Sequence, residues 1–272
     1  MSAIQVATAA PDIADRRIPW GRLRDTSAVI KRNLLQYLRV PQLLVFSTIQ
    51  PIVFVLMFRY VFGGAIHPPG DIPYVEFLMP GIFTQTVVFG AIATAIGLAT
   101  VVKSGLLERF RSLPMARSAV LAGRTMADLT RNVFVVLLMV AVGFAVGFRV
   151  HTGFWGLLAG LLLLLFFGYA LSWIFATVGL YVGDPETAQA AAFPLIAPLV
   201  FASSLFVPVE QMPSWLQPWA EHQPVSVTAT AVRDLMLGGT DTAYHVAQSL
   251  AWCIGILLVF VPLAVRRYRR AV

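Results

Sequence analysis

The segment 103–124, KSGLLERFRSLPMARSAVLAGR, holds the side chains best suited to a specific task in this chain. Leu106, Leu107, Phe110 and Leu113 recur at helical spacing, with Glu108 and Arg109 beside them and Pro114 to stop the helix. The chemistry of such a surface is noncovalent docking. Apolar knobs seat in a partner's cleft, and the flanking charges set register. The plainer alternative is a solvated basic loop that only marks one side of a membrane.

Residues for covalent chemistry are few. Glu210, Glu221, His222 and Asp234 are the candidates for acid–base work by a membrane-embedded enzyme of lipid metabolism, but they form no recognised catalytic arrangement. The histidines, His67, His151, His222 and His245, show no metal-ligand spacing. There is no G-x-x-x-x-G-K-[ST] phosphate loop, no H-E-x-x-H and no G-x-S-x-G elbow. Lys31 and Lys103 are the two lysines, and neither follows a glycine-rich turn. The chain is therefore expected to hold no catalytic residue, metal or nucleotide of its own.

Composition explains where the docking segment must sit. Of 272 residues, 58% are hydrophobic and 12% charged, with a mean hydropathy of +0.78. A soluble domain carries about 25% charged residues, so a water-soluble globule is excluded. The apolar runs are continuous rather than alternating, which excludes a β-barrel. The fold class is all-α and polytopic, with six spans expected at about 43–63, 78–102, 127–148, 154–182, 188–207 and 245–265. The net charge of +7 would suggest nucleic-acid binding in a soluble protein. Here it reads as the basic bias of cytoplasmic loops, and no nucleic acid is expected. Residues 1–40 carry seven Lys/Arg with Asp12 and Asp15 and lack the apolar core of a signal peptide. Cys253 alone cannot form an intrachain disulfide.

The basic residues set the expected orientation. Sixteen of the twenty Lys and Arg fall before the first span, in the 103–124 loop or in the tail after 265, if both termini lie inside. Arg131 is expected near that same face. Within 20–40, Leu23, Ser27, Ile30, Leu34 and Leu38 form a stripe, the pattern of an amphipathic helix lying in the inner leaflet. The expected division is a cytoplasmic segment 1–42, a six-span unit 43–265 and a basic tail 266–272. No Asp, Glu, Lys or Arg falls mid-span on this reading, which counts against a proton-coupled carrier. Arg59, near the outer end of the first span, could pair with Glu76 or Asp71.

The spans do carry uncharged polar residues. Gln50, Thr84, Gln85, Thr86, Ser172, Thr177, Ser203 and Ser204 either bond helix to helix or line a path for an amphiphile. Pro194 and Pro198 kink the fifth span or free a carbonyl there. Between spans five and six, Pro208, Pro213, Pro218 and Pro224 alternate with Trp215 and Trp219. This predicts two short helices at the outer interface, the second capped by Ser226 and ended by Gly238 and Gly239.

Three stretches resemble the ABC type-2 permeases, and most closely the daunorubicin-resistance type of drug-export permease. They are PIVFVLMFRYVFGGAI at 51–66, the 103–124 segment, and FVPVEQMPSWLQPWAEHQPVSVTATAVRDLMLGG at 206–239. The second matches that family's E-R-x-x-G-x-[LF]-E-R-[LF]-x-x-x-P pattern at Gly105, Leu107, Glu108, Arg109 and Pro114. Lys103-Ser104 and Arg59 depart from it. The resemblance implies a transmembrane subunit in the bacterial cell membrane, exporting a drug, antibiotic, lipid or, as an alternative, a polysaccharide. It implies a separate ABC subunit that binds ATP and Mg, and a second permease chain, identical or related. Residues 104–113 would be the coupling helix. The second and fifth spans, with Thr84, Gln85, Thr86, Pro194, Pro198, Ser203 and Ser204, would line the path or the dimer interface. The segment around Trp215, Trp219 and His222 would cap the path outside. Membrane lipids and a small amphiphile complete the implied partners.

Overall fold

A computed structural model describes residues 41–66, 68, 72–105 and 117–271, with backbone alone at 41–48, 117–124, 127 and 269–271. The expected helices at 20–40 and 106–113 lie outside the described residues. Every element described is helical: α1 Pro41–Met57, α2 Tyr74–Lys103, α3 Arg117–Val146, α4 Gly153–Val182, α5 Pro185–Phe201, α6 Gln217–His222, α7 Pro224–Leu237 and α8 Thr242–Ala271. A π-turn, Phe58–Phe62, extends α1, and a 3₁₀ turn, Val209–Gln211, precedes α6.

Four segments are long and apolar enough to cross a bilayer: Tyr74–Lys103, Asp128–Val146, Gly153–Val182 and Thr242–Tyr268. The first and fifth expected spans are shorter. α1 reaches its length only through the π-turn, and α5 stops at Phe201, where 207 was expected. The cause is local. The Ala202 N–H closes on Pro198 O, while the Ser204 N–H bonds Ser226 Oγ at 3.0 Å instead of extending the helix. Ser203 and Ser204 therefore lie beyond α5. α3 begins at Arg117, but its membrane-crossing portion starts at Asp128, one residue from the expected 127.

α2 organises the bundle. It packs against α1, α3, α4, α5 and α7, and its buried residues wrap most of its circumference. Its partner α4 approaches through glycine. A Cβ at Gly179 would strike the carbonyl oxygen of Ala95, and one at Gly168 would strike Val87. In lipid, apolar burial does not drive helices together, so such close approaches carry the association. The outer faces of α1, α5 and α8 stay apolar and exposed, as at Val53, Phe193 and Leu258.

The turn helices after α5 are integral to the packing. α7 lies against α2, α4 and α8. It does not start at Ser226. Pro224 takes the first turn, and Ser226 Oγ accepts from the Ser204 N–H and from Gln223 Nε2. Its end at Gly238, with φ +90°, is as expected. Arg233 bolts α7 to α2: its guanidinium lies 3.8 Å over the Phe77 ring, its Nε donates to Phe77 O and its Nη2 to Ser204 O. Arg59 does not reach Glu76, whose carboxylate instead sits 3.2 Å from His151 Nε2. Asp71 lies outside the described residues.

Gly179→Ala should lower the melting temperature of the purified protein in detergent, by the ~1–3 kcal/mol typical of overpacking. Gly255→Ala on α8, where an added Cβ meets nothing within 4 Å, should leave it unchanged or slightly raised. Equal effects at both sites would contradict this account of the α2–α4 contact.

Candidate functional site

Midway along the bundle, α1, α2, α3 and α5 enclose a cavity of about 410 Å³. Its depth follows from Gly90 on its wall, about 24 Å of helix from Tyr74 and about 20 Å from Lys103 at about 1.5 Å per residue. Gln50 and Gln189 lie at its exposed rim, and Gln85, Thr86, Arg131 and Asn132 line it further in, among Phe89, Ile92, Ile96 and Val135.

Each polar wall residue is placed by its helix. Thr86 returns its hydroxyl proton to Ile82 O at 2.7 Å, a bond within its own helix. Gln85, only 1% exposed, has neither amide atom hydrogen-bonded. An unmade bond in such a buried place costs about 1–3 kcal/mol, and both amide atoms lie behind the cavity surface rather than on it. Arg131 Nη2 donates to Gly90 O at 2.5 Å and to Asn132 Oδ1 at 3.2 Å. A Cβ at Gly90 would come within 2.6 Å of Asn132 Oδ1, so glycine is what lets this contact form. Three residues nearer the start of α3, buried Asp128 accepts from Thr94 Oγ1 at 2.8 Å.

Arg131 stands three residues into the apolar portion of α3, which begins at Asp128. The guanidinium meets α2 near its middle, and Asn132 lies beside Gly168, near the halfway point of α4. The signal was present as the neighbouring Gly90 and Arg131–Asn132, but only the α2–α3 packing joins them.

The other expected residues scatter. Thr84 is fully buried and bonds Pro80 O. Pro194 and Pro198 lie on the exposed face of α5, which passes both without ending. Ser203 donates to Val200 O, and Ser204 joins the α7 contact. Trp215 and Trp219 are exposed. His222 Nδ1–H donates to Pro218 O, and its carbonyl accepts from Trp252 Nε1. Asp234 is held by His245 at 2.6 Å, and that same His245 lines a cavity of about 350 Å³ with Glu210, Glu221 and His222. No group of three metal-binding side chains occurs among the described residues.

At the Lys103 end, Gly105 has φ +66° and terminates α2, with its N–H on Val102 O. Leu106, Leu107, Glu108, Arg109, Phe110 and Leu113 lie outside the described residues. Beside this end, Lys103 Nζ reaches Asp184 Oδ1 at 2.6 Å, and Asp184 caps α5 by accepting from the Thr187 N–H and hydroxyl. The Lys103 ammonium first, then the Thr187 donors, hold the Asp184 carboxyl down to about 2.

Residues 24–237 match the family model described as ABC-2 type transporter. The chain is 37% identical over 238 residues to the daunorubicin resistance ABC transporter permease protein of Streptomyces coeruleorubidus, covering 88% of this chain and 83% of that one. It is 29% identical over 250 residues to a Mycobacterium tuberculosis protein named "Probable doxorubicin resistance ABC transporter permease protein", covering 92% and 88%.

Because the Asp184 carboxyl is held low, its ionised form stabilises the fold fully above the ordinary carboxylate range, near pH 4, and this contribution is lost as pH falls through about 2. Asp184→Ala should therefore lower the melting temperature at pH 7, and the gap from wild type should close between pH 4 and pH 2. Lys103→Ala should cost less, because the α5 cap survives it. A larger loss in Lys103→Ala, or a gap that persists at pH 2, would refute this ordering.

Proposed function

The chain belongs to the ABC-2 type transporter family, and from that premise we propose that it is the permease subunit of an exporter powered by a separate ATP-binding subunit. Its cargo is a hydrophobic or amphiphilic compound, a drug, antibiotic or lipid, taken from the cytoplasm or inner leaflet. The observation that carries this is the 37% identity to a drug-resistance permease over 88% of the chain. The mid-depth cavity, apolar with a few polar groups, supports it on independent physical grounds.

The arrangement in the membrane is part of the same reading. Six spans are obtained if α1 with its π-turn, and α5 with the residues after it, cross alongside the four long helices. Tyr268 and Ala264 on α8 pack with Leu98 on α2 and Leu180 on α4, so the basic end of α8 and the Lys103 end of α2 share one side of the bundle. That favours both termini inside, in a bacterial cytoplasmic membrane. α6 and α7 then lie toward the outside. Residues 105–113 dock on the ATPase, which binds ATP and Mg, and two permease chains assemble over two ATPases.

This reading requires the tagged chain to co-purify with an ATP-binding subunit from membranes in mild detergent. Phe110→Asp should leave the chain inserted while reducing ATP-dependent export at least ~10-fold, the scale of losing a docking anchor. Full export by that variant, or ATP-driven export by the chain alone, sinks the proposal.

A further inference from the structure

Resting on the exporter reading only for which face lies outside, we propose that the groove around the Val209–Gln211 turn binds a phospholipid whose headgroup carries both a phosphate and a primary ammonium. The phosphate lies toward Arg233 and the ammonium on Glu210, with one acyl chain running along α8.

Two clefts meet at that turn. One, of about 330 Å³, is bordered by Phe77 and Arg233, and the other, of about 350 Å³, by Glu221, Tyr244 and Gln248. Glu210 and Thr230 stand on the walls of both, so the two form one groove. Its charges are opposite in sign and are not joined. Arg233 donates Nε–H to Phe77 O and Nη2–H to Ser204 O, with the Phe77 ring beneath its plane. Its Nη1 bonds no protein atom and is not buried. Burial draws the guanidinium down to about 10, against the pull of Asp234 and Glu210, so it stays charged at neutral pH. Asp234 is clasped by His245, and Glu76 by His151. Glu210 is exposed and makes no ion pair among the described residues. Glu221 adds a second exposed carboxylate, and among the described residues no Lys and no further Arg lines either cleft.

An anchored guanidinium with an uncommitted N–H and a free carboxylate on one groove suit a zwitterion. Phosphate oxygens accept from Arg233 Nη1, and the ammonium donates to Glu210, both as charge-assisted bonds. A quaternary ammonium has no N–H to donate, and a glycerol headgroup has no positive charge. The surface of α8 makes the ligand a lipid rather than a free zwitterion. Gln248 lines the groove, and Trp252, Gly255 and Val259 follow it on the same face of that helix. Trp252 and Val259 are exposed, and a Cβ at Gly255 would meet nothing within 4 Å. A glycine between two large exposed side chains forms a notch in which an acyl chain fits. Trp252 Nε1 donates to His222 O, which fixes the indole at the upper edge of the notch. Trp215 and Trp219, beside and on α6, are exposed as side chains at headgroup level are.

The test is lipid binding to the full-length chain in detergent, read by native mass spectrometry with dioleoyl phosphatidylethanolamine, phosphatidylcholine and phosphatidylglycerol. Phosphatidylethanolamine should bind at least ~10-fold more tightly than either of the others, the scale of one charged hydrogen bond. Glu210→Gln should bring the three affinities within ~3-fold of one another, with the melting temperature unchanged. Gly255→Phe, which fills the notch, should weaken phosphatidylethanolamine at least ~5-fold. Glycerophosphoethanolamine, the same headgroup without chains, should not displace the lipid at ~100-fold excess. Equal binding of the three lipids, a preference that survives Glu210→Gln, full binding by Gly255→Phe, or displacement by the chainless headgroup overturns the proposal. Sidedness is read separately. Glu221→Cys, in a Cys253→Ser background, should react with a membrane-impermeant maleimide on intact cells. Selective lipid binding without that labelling removes the assigned outer face and leaves the groove, whereas labelling without selective binding removes the groove and leaves the assigned face.

Discussion

Close approach of backbone to backbone between α2 and α4 is the constraint on which the rest depends. Where hydrocarbon surrounds a helix, apolar side chains gain little by leaving lipid for protein, so the helices must fit at van der Waals distance to associate. Gly179 against the Ala95 carbonyl and Gly168 against Val87 meet that requirement on α4. Gly81 does the same further up α2, where the Leu205 carbonyl occupies the space of a side chain. These contacts fix α2 along its length, and each remaining element leans on it.

The cavity follows from that arrangement. α5 packs on α2 and α4, while α1 packs on α2 and α3. The two flank one face of α2, and the face between them stays partly open. Small residues on that face, Gly90 and Ala93, make room where larger ones would fill it. A partly buried charged group there is costly, and the structure offsets the cost with a backbone carbonyl that a glycine-lined approach exposes. Arg131, Asn132 and Gly90 are therefore one unit, and none of the three has its role without the others.

Much of the fold could be read from local pattern. Continuous apolar runs announce four of the spans, and Gly238 announces the end of α7 because a left-handed residue is needed there. What escaped was set by partners distant in sequence. Ser226 has the form of a helix cap, but its hydroxyl is taken by Ser204, 22 residues away. Arg131 stands four residues into an expected span and so reads as a flank. Its contact with Gly90, 41 residues earlier, comes from the packing of α3 on α2. Thr84, Gln85 and Thr86 look equivalent in sequence, yet both threonines spend their hydroxyls on their own helix while the Gln85 amide is left unpartnered.

The same geometry limits how force can reach the cavity. α2 runs without a break from Gln85 and Gly90 on the cavity wall to Lys103, two residues before the glycine that ends it. At that end Lys103 meets the carboxylate that caps α5, and Gln189 at the cavity rim follows that cap by little more than one turn. An exposed ion pair contributes little alone. Here it adds to the packing of α5 on α2 and to the cap itself, so the bases of α2 and α5 form one piece. On the proposed coupling, a displacement entering beyond Gly105 would reach two walls of the cavity together.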